Sequence, residues 1–162
     1  MNALKHLLLP RTVLGRRFPS HALTAIEEAI AASETRHRAE IRVALETALD
    51  LSSLWRLKTP RDRALEVFAE LRVWDTAEHN GVLVYVLLAE QAVEIVADRG
   101  FADRVAAGEW QRVCDVMERS FADRRWREGA VAGIEALTAL LVREFPAQGP
   151  NPNEQPNRPS IV

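Results

Sequence analysis

Four residues could carry acid, base or metal chemistry if the chain brings them together: Glu40, Asp75, Asn80 and Asp98, with His37 and His79 close by in sequence. Two or three carboxylates, an amide oxygen and an imidazole suit a hard cation such as calcium or magnesium, or a metal-assisted phosphate site. A second set, Thr59 and Arg61 beside Lys58, opens a segment marked as a helix N-terminus. Free backbone N–H groups there could accept an anion or a nucleotide phosphate. Both sets also have ordinary structural uses: Asn80-Gly81 as a turn, Asp98 as a strand-end cap, and Thr59 as a helix cap among exposed bases.

The elements that would position these residues can be read from periodicity. Leu23, Ile26, Ala29 and Ile30 recur at helical spacing between Ser20 and Glu34, with Ser20 or Thr24 as the expected cap. Glu40 to Glu46 alternates with period two, which places Ile41, Val43 and Leu45 on one face of a strand. Thr59-Pro60-Arg61-Asp62 combines a cap, a proline at the first helical position and a carboxylate three residues on. The helix it starts should run to about Val73, with Ala64, Leu65, Val67, Phe68 and Leu71 inward. Val82 to Leu88 is apolar without alternation, the mark of a central strand covered on both faces. Ala89-Glu90-Gln91 leaves room only for a hairpin back into Val93–Ala97. Two later helices run through Trp110, Val113, Cys114, Met117 and Phe121, and from Trp126 to Phe145.

The order α-β-α-β-β-α-α predicts a three-layer α/β/α sandwich around a small mixed sheet, a parallel pair plus an antiparallel hairpin strand. A fourth strand is expected from residues 47–56 or from the N-terminal region. In this topology His37, Glu40, Asp75, His79, Asn80 and Asp98 gather within one polar rim at one sheet edge. Thr59 and Arg61 fall at the other, the carboxyl ends of the parallel strands, where open α/β sheets usually bind ligands.

Of 162 residues, 48% are hydrophobic and 27% charged, the composition of one ordinary domain. Seven of the eight prolines fall outside 20–145. The chain therefore divides into a basic leader (1–19), an α/β body (20–145) and a Pro/Asn-rich tail (146–162) with too little apolar content to fold, expected to be disordered. The net charge of −2 conceals a division of sign. The leader carries Lys5, Arg11, Arg16 and Arg17 and no acid, whereas the body carries 16 bases against 22 acids. An acidic body argues against a nucleic-acid partner, and the leader is the one hint of contact with an acidic lipid surface. Leu7-Leu8-Leu9 is too short for a signal-peptide core, and no transmembrane segment is expected. These features predict a cytoplasmic protein, peripheral to the membrane at most.

Several chemistries are excluded. The sequence has no Gly-rich phosphate loop of either familiar type and no G-x-S-x-G elbow. Its single cysteine, Cys114, lies on an apolar helical stripe and permits no internal disulfide. The four histidines are too scattered for a local zinc motif, and the four tryptophans lack the interleaved bases of a nucleic-acid platform.

Ala64-Leu65-Glu66-Val67-Phe68, Val73-Trp74-Asp75-Thr76, Asn80-Gly81-Val82-Leu83-Val84-Tyr85 and Val93 to Gly100 together resemble the TPM domain family. The Glu40-Ile41-Arg42 strand, Trp110, Phe121 and the Gly129–Ile134 stretch fit its bacterial cytoplasmic branch. The likeness covers residues 20–145. It implies an α/β/α sandwich and a role in membrane-protein maintenance, since members include a thylakoid lumen protein of photosystem repair and an accessory protein of an acetylcholine receptor. Bacterial relatives often occur beside a LemA-type membrane protein. A weak acid phosphatase activity has been attributed to the family, and some members bind calcium. Many members carry an acid directly before Asn-Gly, where this chain has His79. The expectation is thus a TPM-type binding or accessory module of a membrane or envelope protein complex. The alternatives are a weak metal-dependent acid phosphatase using Glu40, Asp75, Asn80 and Asp98, and an anion-binding module at Thr59 and Arg61.

Overall fold

All seven residues of Gly81–Leu87 are buried, which is why this strand has no polar alternation. It lies inside a four-stranded sheet in the computed structural model of the chain, which describes residues 9, 10 and 12–162. Lys5 and Arg11 of the basic leader, and Leu7 and Leu8 of its apolar run, lie outside the described residues.

In chain order the elements are α1 (Thr12–Arg17), α2 (Ser20–Glu34), β1 (Glu40–Glu46), α3 (Leu51–Trp55), α4 (Pro60–Glu70), β2 (Gly81–Leu87), β3 (Ala92–Ala97), a 3-10 turn (Arg99–Phe101), α5 (Ala107–Ala122), α6 (Trp126–Glu144) and β4 (Ser160–Ile161). The sheet order is β3-β2-β1-β4. β1 runs parallel to both β2 and β4, and β2 pairs antiparallel with β3. The predicted α/β/α sandwich with its mixed sheet is thus the observed fold.

The two faces bury different layers. Ile41, Val43, Leu45, Val82, Val84, Val86, Val93 and Ile95 pack against Leu14, Phe18, Ile26, Ile30, Met117, Phe121, Ile134 and Leu141 of α1, the turn after it, α2, α5 and α6. α5 and α6 approach closely because Gly133 gives way to Met117, whose Cε lies 2.0 Å from where a Cβ would stand. Ala44, Leu83, Tyr85, Leu87 and Val96 face a thinner layer supplied by Ala64, Val67 and Val73.

Two expectations need correction. The fourth strand comes neither from residues 47–56, which hold the short helix α3, nor from the N-terminal region, but from the tail. That tail, expected to be disordered, packs along β1: Gln155 is buried, and Ser160 and Ile161 pair with Ala44 and Leu45. The polar face of β1 explains this order. Arg42 donates to Pro156 O at 2.9 Å and to Ser160 Oγ at 2.7 Å, so a half-buried guanidinium finds acceptors in the tail. Prolines also leave less chain entropy to lose on docking. Arg17 of the leader is likewise committed, donating to Leu88 O at 3.0 Å with its guanidinium 4.5 Å from the centre of the Trp126 ring.

Candidate functional site

Register fixes which rim residues can meet. Glu40 pairs with Gly81, and Asp98 N donates to Gly81 O at 2.9 Å, so Glu40, Gly81 and Asp98 form one row across β1, β2 and the end of β3. With strands about 4.8 Å apart, Glu40 and Asp98 stand roughly 10 Å from each other along that row. Gly81 between them is pressed against the chain that follows α4, where a Cβ would lie 2.0 Å from Val73 O.

Glu40 is fully buried, and its Oε2 accepts the backbone N–H groups of Glu154 at 3.1 Å and Gln155 at 3.0 Å. Its carboxylate therefore serves the tail, on the side of β1 away from Asp98. Burial holds its pKa above the usual carboxylate range, against those two hydrogen bonds. Asn80 Nδ2 donates to Arg38 O at 2.6 Å, and the Asn80 backbone N–H is received by Thr76 Oγ1 at 3.1 Å. Asp98 Oδ1 accepts Arg99 N–H at 2.7 Å, while its Oδ2 lies 3.6 Å from His79 Nδ1. His79 adopts the left-handed conformation at φ 52° and also meets the Arg99 guanidinium. Asp75 stands apart, exposed and paired with Arg72 at 2.8 Å. The structure thus brings Glu40, Asn80 and Asp98 to one edge and leaves Asp75 outside it.

Glu40 Oε1, Asn80 Oδ1 and Asp98 Oδ2 are buried without a hydrogen-bond partner. They are hard oxygens of the kind calcium and magnesium take. Among the described residues, however, no three His, Cys, Asp or Glu side chains stand close enough to hold one ion. The four sequence candidates do not converge on a single cation.

His37 is a structural residue rather than a rim ligand. Thr138 Oγ1 donates to Ile134 O at 2.6 Å, which leaves Ser33 Oγ to donate to Thr138 Oγ1 at 2.6 Å. His37 Nε2 must then donate to Ser33 Oγ at 2.7 Å, which fixes the tautomer. Burial pushes its pKa down to about 4.

The rival anion site is closed by the helix's own chemistry. Thr59 Oγ1 accepts Asp62 N–H at 3.1 Å, and Asp62 Oδ2 accepts Thr59 N–H at 2.9 Å, a complete capping box. A carboxylate thus occupies the place an anion would take. Arg61 turns to the β3 edge, donating to Ile95 O and lying 3.6 Å from Glu94, and Lys58 pairs with Glu66.

The sequence reading missed a buried cluster at the carboxyl edge. Tyr85 Oη donates to Glu46 Oε2 at 2.6 Å, and Arg63 Nε donates to the same oxygen at 3.0 Å, with Glu70 2.9 Å from Arg63 Nη1. Burial first, and Glu46 second, keep Tyr85 firmly protonated. Two signals were available: Glu46 lies on the polar face of β1, and Tyr85 is the one polar-tipped side chain in an otherwise apolar strand.

The chain resembles known proteins along most of its length. An NMR structure of the BA42 protein from the psychrophilic bacterium Bizionia argentinensis superposes with a TM-score of 0.77 at 30% identity, covering 90% of this chain and 95% of that one. The N-terminal domain of a P. gingivalis protein superposes at 0.62 with 16% identity, covering 88% and 95%, and that of cg2496 from Corynebacterium glutamicum at 0.56 with 12%, covering 82% and 78%. These last two share the fold alone. No curated protein matches. The family model of the TPM domain matches residues 18–140, and the chain belongs to that family.

Proposed function

We propose that this chain is a binding or accessory module of a membrane or cell-envelope protein complex, working at the cytoplasmic face with a LemA-type membrane protein as partner. One observation carries the reading: Leu57, 77% exposed, holds a left-handed backbone at φ 55° just past the end of α3. Lys58 N donates to Ser53 O at 3.1 Å and Leu57 N to Leu54 O at 3.1 Å, a helix ending in which glycine is the usual occupant. A leucine there carries backbone strain while its side chain sits in water, so the isolated domain gains nothing from it. Its neighbour Trp55 is 87% exposed, and Leu65 and Trp74 on the same thin layer are also exposed. Single exposed apolar side chains are ordinary, but two exposed tryptophans on one layer are of the residue type that most often anchors an interface centre. Among the described residues no helix is long and apolar enough to cross a membrane, so in this reading membrane contact runs through the partner. Binding of the purified chain to a LemA-type protein in lipid nanodiscs tests the proposal, which predicts saturable binding that Trp55→Ala weakens at least tenfold.

The three unpaired rim oxygens favour a second reading, a weak metal-dependent acid phosphatase in which calcium or magnesium is held at the Asn80 and Asp98 part of the rim. The ion would polarise a phosphoryl oxygen there. Metal-dependent phosphate release that Asp98→Ala abolishes would support it, and release unaffected by that change would remove it.

A further inference from the structure

We propose that the carboxyl end of the parallel strands binds a small amphipathic amine, an ammonium group carried on an apolar stem. A cleft of about 640 Å³ opens there, between the end of β1, the end of β4 and the inner side of α1. Its walls are of two kinds. Leu9, Leu14 and Ile161 supply apolar surface, whereas Glu46 and Asp50 supply carboxylates, and among the described residues no lysine or arginine lines the cleft.

The bases nearby are turned elsewhere. Arg17 is held by Leu88 O and the Trp126 ring. Arg63 reaches Glu46 from the α4 side and divides its charge among Glu46, Glu66 at 3.4 Å and Glu70 at 2.9 Å. Lys58 is taken by Glu66. Glu46, Asp50, Glu66 and Glu70 make four carboxylates against the three bases Arg17, Arg63 and Lys58 at this end of the sheet, and the two carboxylates that line the cleft put the favourable side of that balance where a cation would enter.

Glu46 is fixed before any ligand arrives. Tyr85 and Arg63 both hold its Oε2, so the side chain has no freedom left to lose on binding. Asp50 caps α3 by accepting Ser53 N–H at 2.7 Å, and its hydrogen bonds with Ser53 keep it ionised. Gly15 leaves the mouth open, since a Cβ there would meet nothing within 4 Å. The cleft lies where ligands collect in open α/β sheets, with β1 departing into the thin layer and β4 arriving from the thick one. An alkylammonium matches both walls, an alkanol satisfies only the apolar one, and an alkanoate is repelled.

Titration of the full chain with hexylamine, hexanol and hexanoate, followed by backbone amide NMR shifts, tests this. The proposal expects saturable hexylamine shifts at Leu14, Gly15, Thr47 and Ile161, with hexanol and hexanoate at least tenfold weaker. Asp50→Asn should weaken hexylamine binding three- to tenfold. Gly15→Leu, which fills the mouth without touching Glu46 or its partners, should abolish it while the melting temperature stays within a few degrees of the parent. Equal binding of hexanol or hexanoate, no saturable hexylamine shifts, or hexylamine binding that survives in folded Gly15→Leu would overturn the assignment.

Discussion

Gln155 stands 115 positions beyond Glu40, yet its backbone N–H donates to Glu40 Oε2 at 3.0 Å. The contact turns a carboxylate with the chemistry of a metal ligand into the anchor of the tail. Glu154 N–H shares the same oxygen, and Arg42 completes the attachment one residue pair along the strand.

Removing that anchor should release the tail before it unfolds the body. Glu40→Ala leaves two tail N–H groups without their acceptor, a loss of about 1–3 kcal/mol, whereas Glu40→Gln keeps an acceptor oxygen and should cost less. Limited proteolysis should cut within residues 148–158 faster in Glu40→Ala than in the parent. Equal cleavage rates in all three proteins would show that the tail is held by other contacts.

Tyr85→Phe removes one of the two donors to Glu46 and leaves Arg63 as the other. A buried carboxylate that loses a hydrogen bond is costly, and about 1–3 kcal/mol of stability should go, read from the urea midpoint at unchanged m-value. A change below about 0.5 kcal/mol would mean that water or Arg63 repairs the loss.

Half-buried Glu34 and buried His37 set opposing pH dependences. Burial pushes Glu34 up to about 7 from its ordinary 4.5, with the Glu40 charge adding to the rise. Between those values the folded chain keeps a proton that the unfolded chain gives up, so stability falls as pH rises. His37, pushed down from 6.5 to about 4, refuses a proton that the unfolded chain takes up, so stability is lost as pH falls through that window. The slopes cancel between 4.5 and 6.5. Glu34→Gln should remove the largest opposing slope, so that urea midpoints of the variant rise relative to the parent from about pH 5 to about pH 7 and exceed the parent above pH 7. A variant curve parallel to the parent would remove Glu34 from the account.

The sequence was legible wherever burial imposed a simple period. β2 declared itself by a run without alternation, and the capping box at Thr59 and Asp62 was visible as spacing alone. Topology followed, and with it the placing of Glu40, Asn80 and Asp98 at one sheet edge. β1 misled, because its alternation of Ile41, Val43 and Leu45 with Glu40, Arg42 and Glu46 reads as a strand with one wet face. That face is in fact covered, by the tail over Glu40 and Arg42 and by Tyr85 and Arg63 at Glu46. No local pattern announces such partners, because they come from positions 17 to 118 residues away. Asp75 points to solvent beside Arg72, three residues earlier, rather than into the row of buried rim oxygens.

The cation reading makes its own prediction at His79, which lies beside Asp98 in a left-handed conformation that aspartate tolerates well. His79→Asp adds a carboxylate 3–4 Å from an unpaired oxygen. Calcium at millimolar concentration should raise the melting temperature of the variant more than that of the parent, through preferential binding to the folded chain. Equal shifts in the two proteins would place any bound calcium away from Asp98.

Leu57→Gly tests the central claim most directly, because stability and binding should move in opposite directions. Glycine relieves the left-handed strain, so the isolated chain should gain up to about 1 kcal/mol. The same change deletes an exposed anchor, so affinity for a LemA-type protein in nanodiscs should fall at least tenfold. An isolated chain no less stable than the parent, with binding weakened, is the predicted result. No saturable binding by the folded parent, or affinity unchanged in Leu57→Gly and in Trp55→Ala alike, would contradict the accessory role.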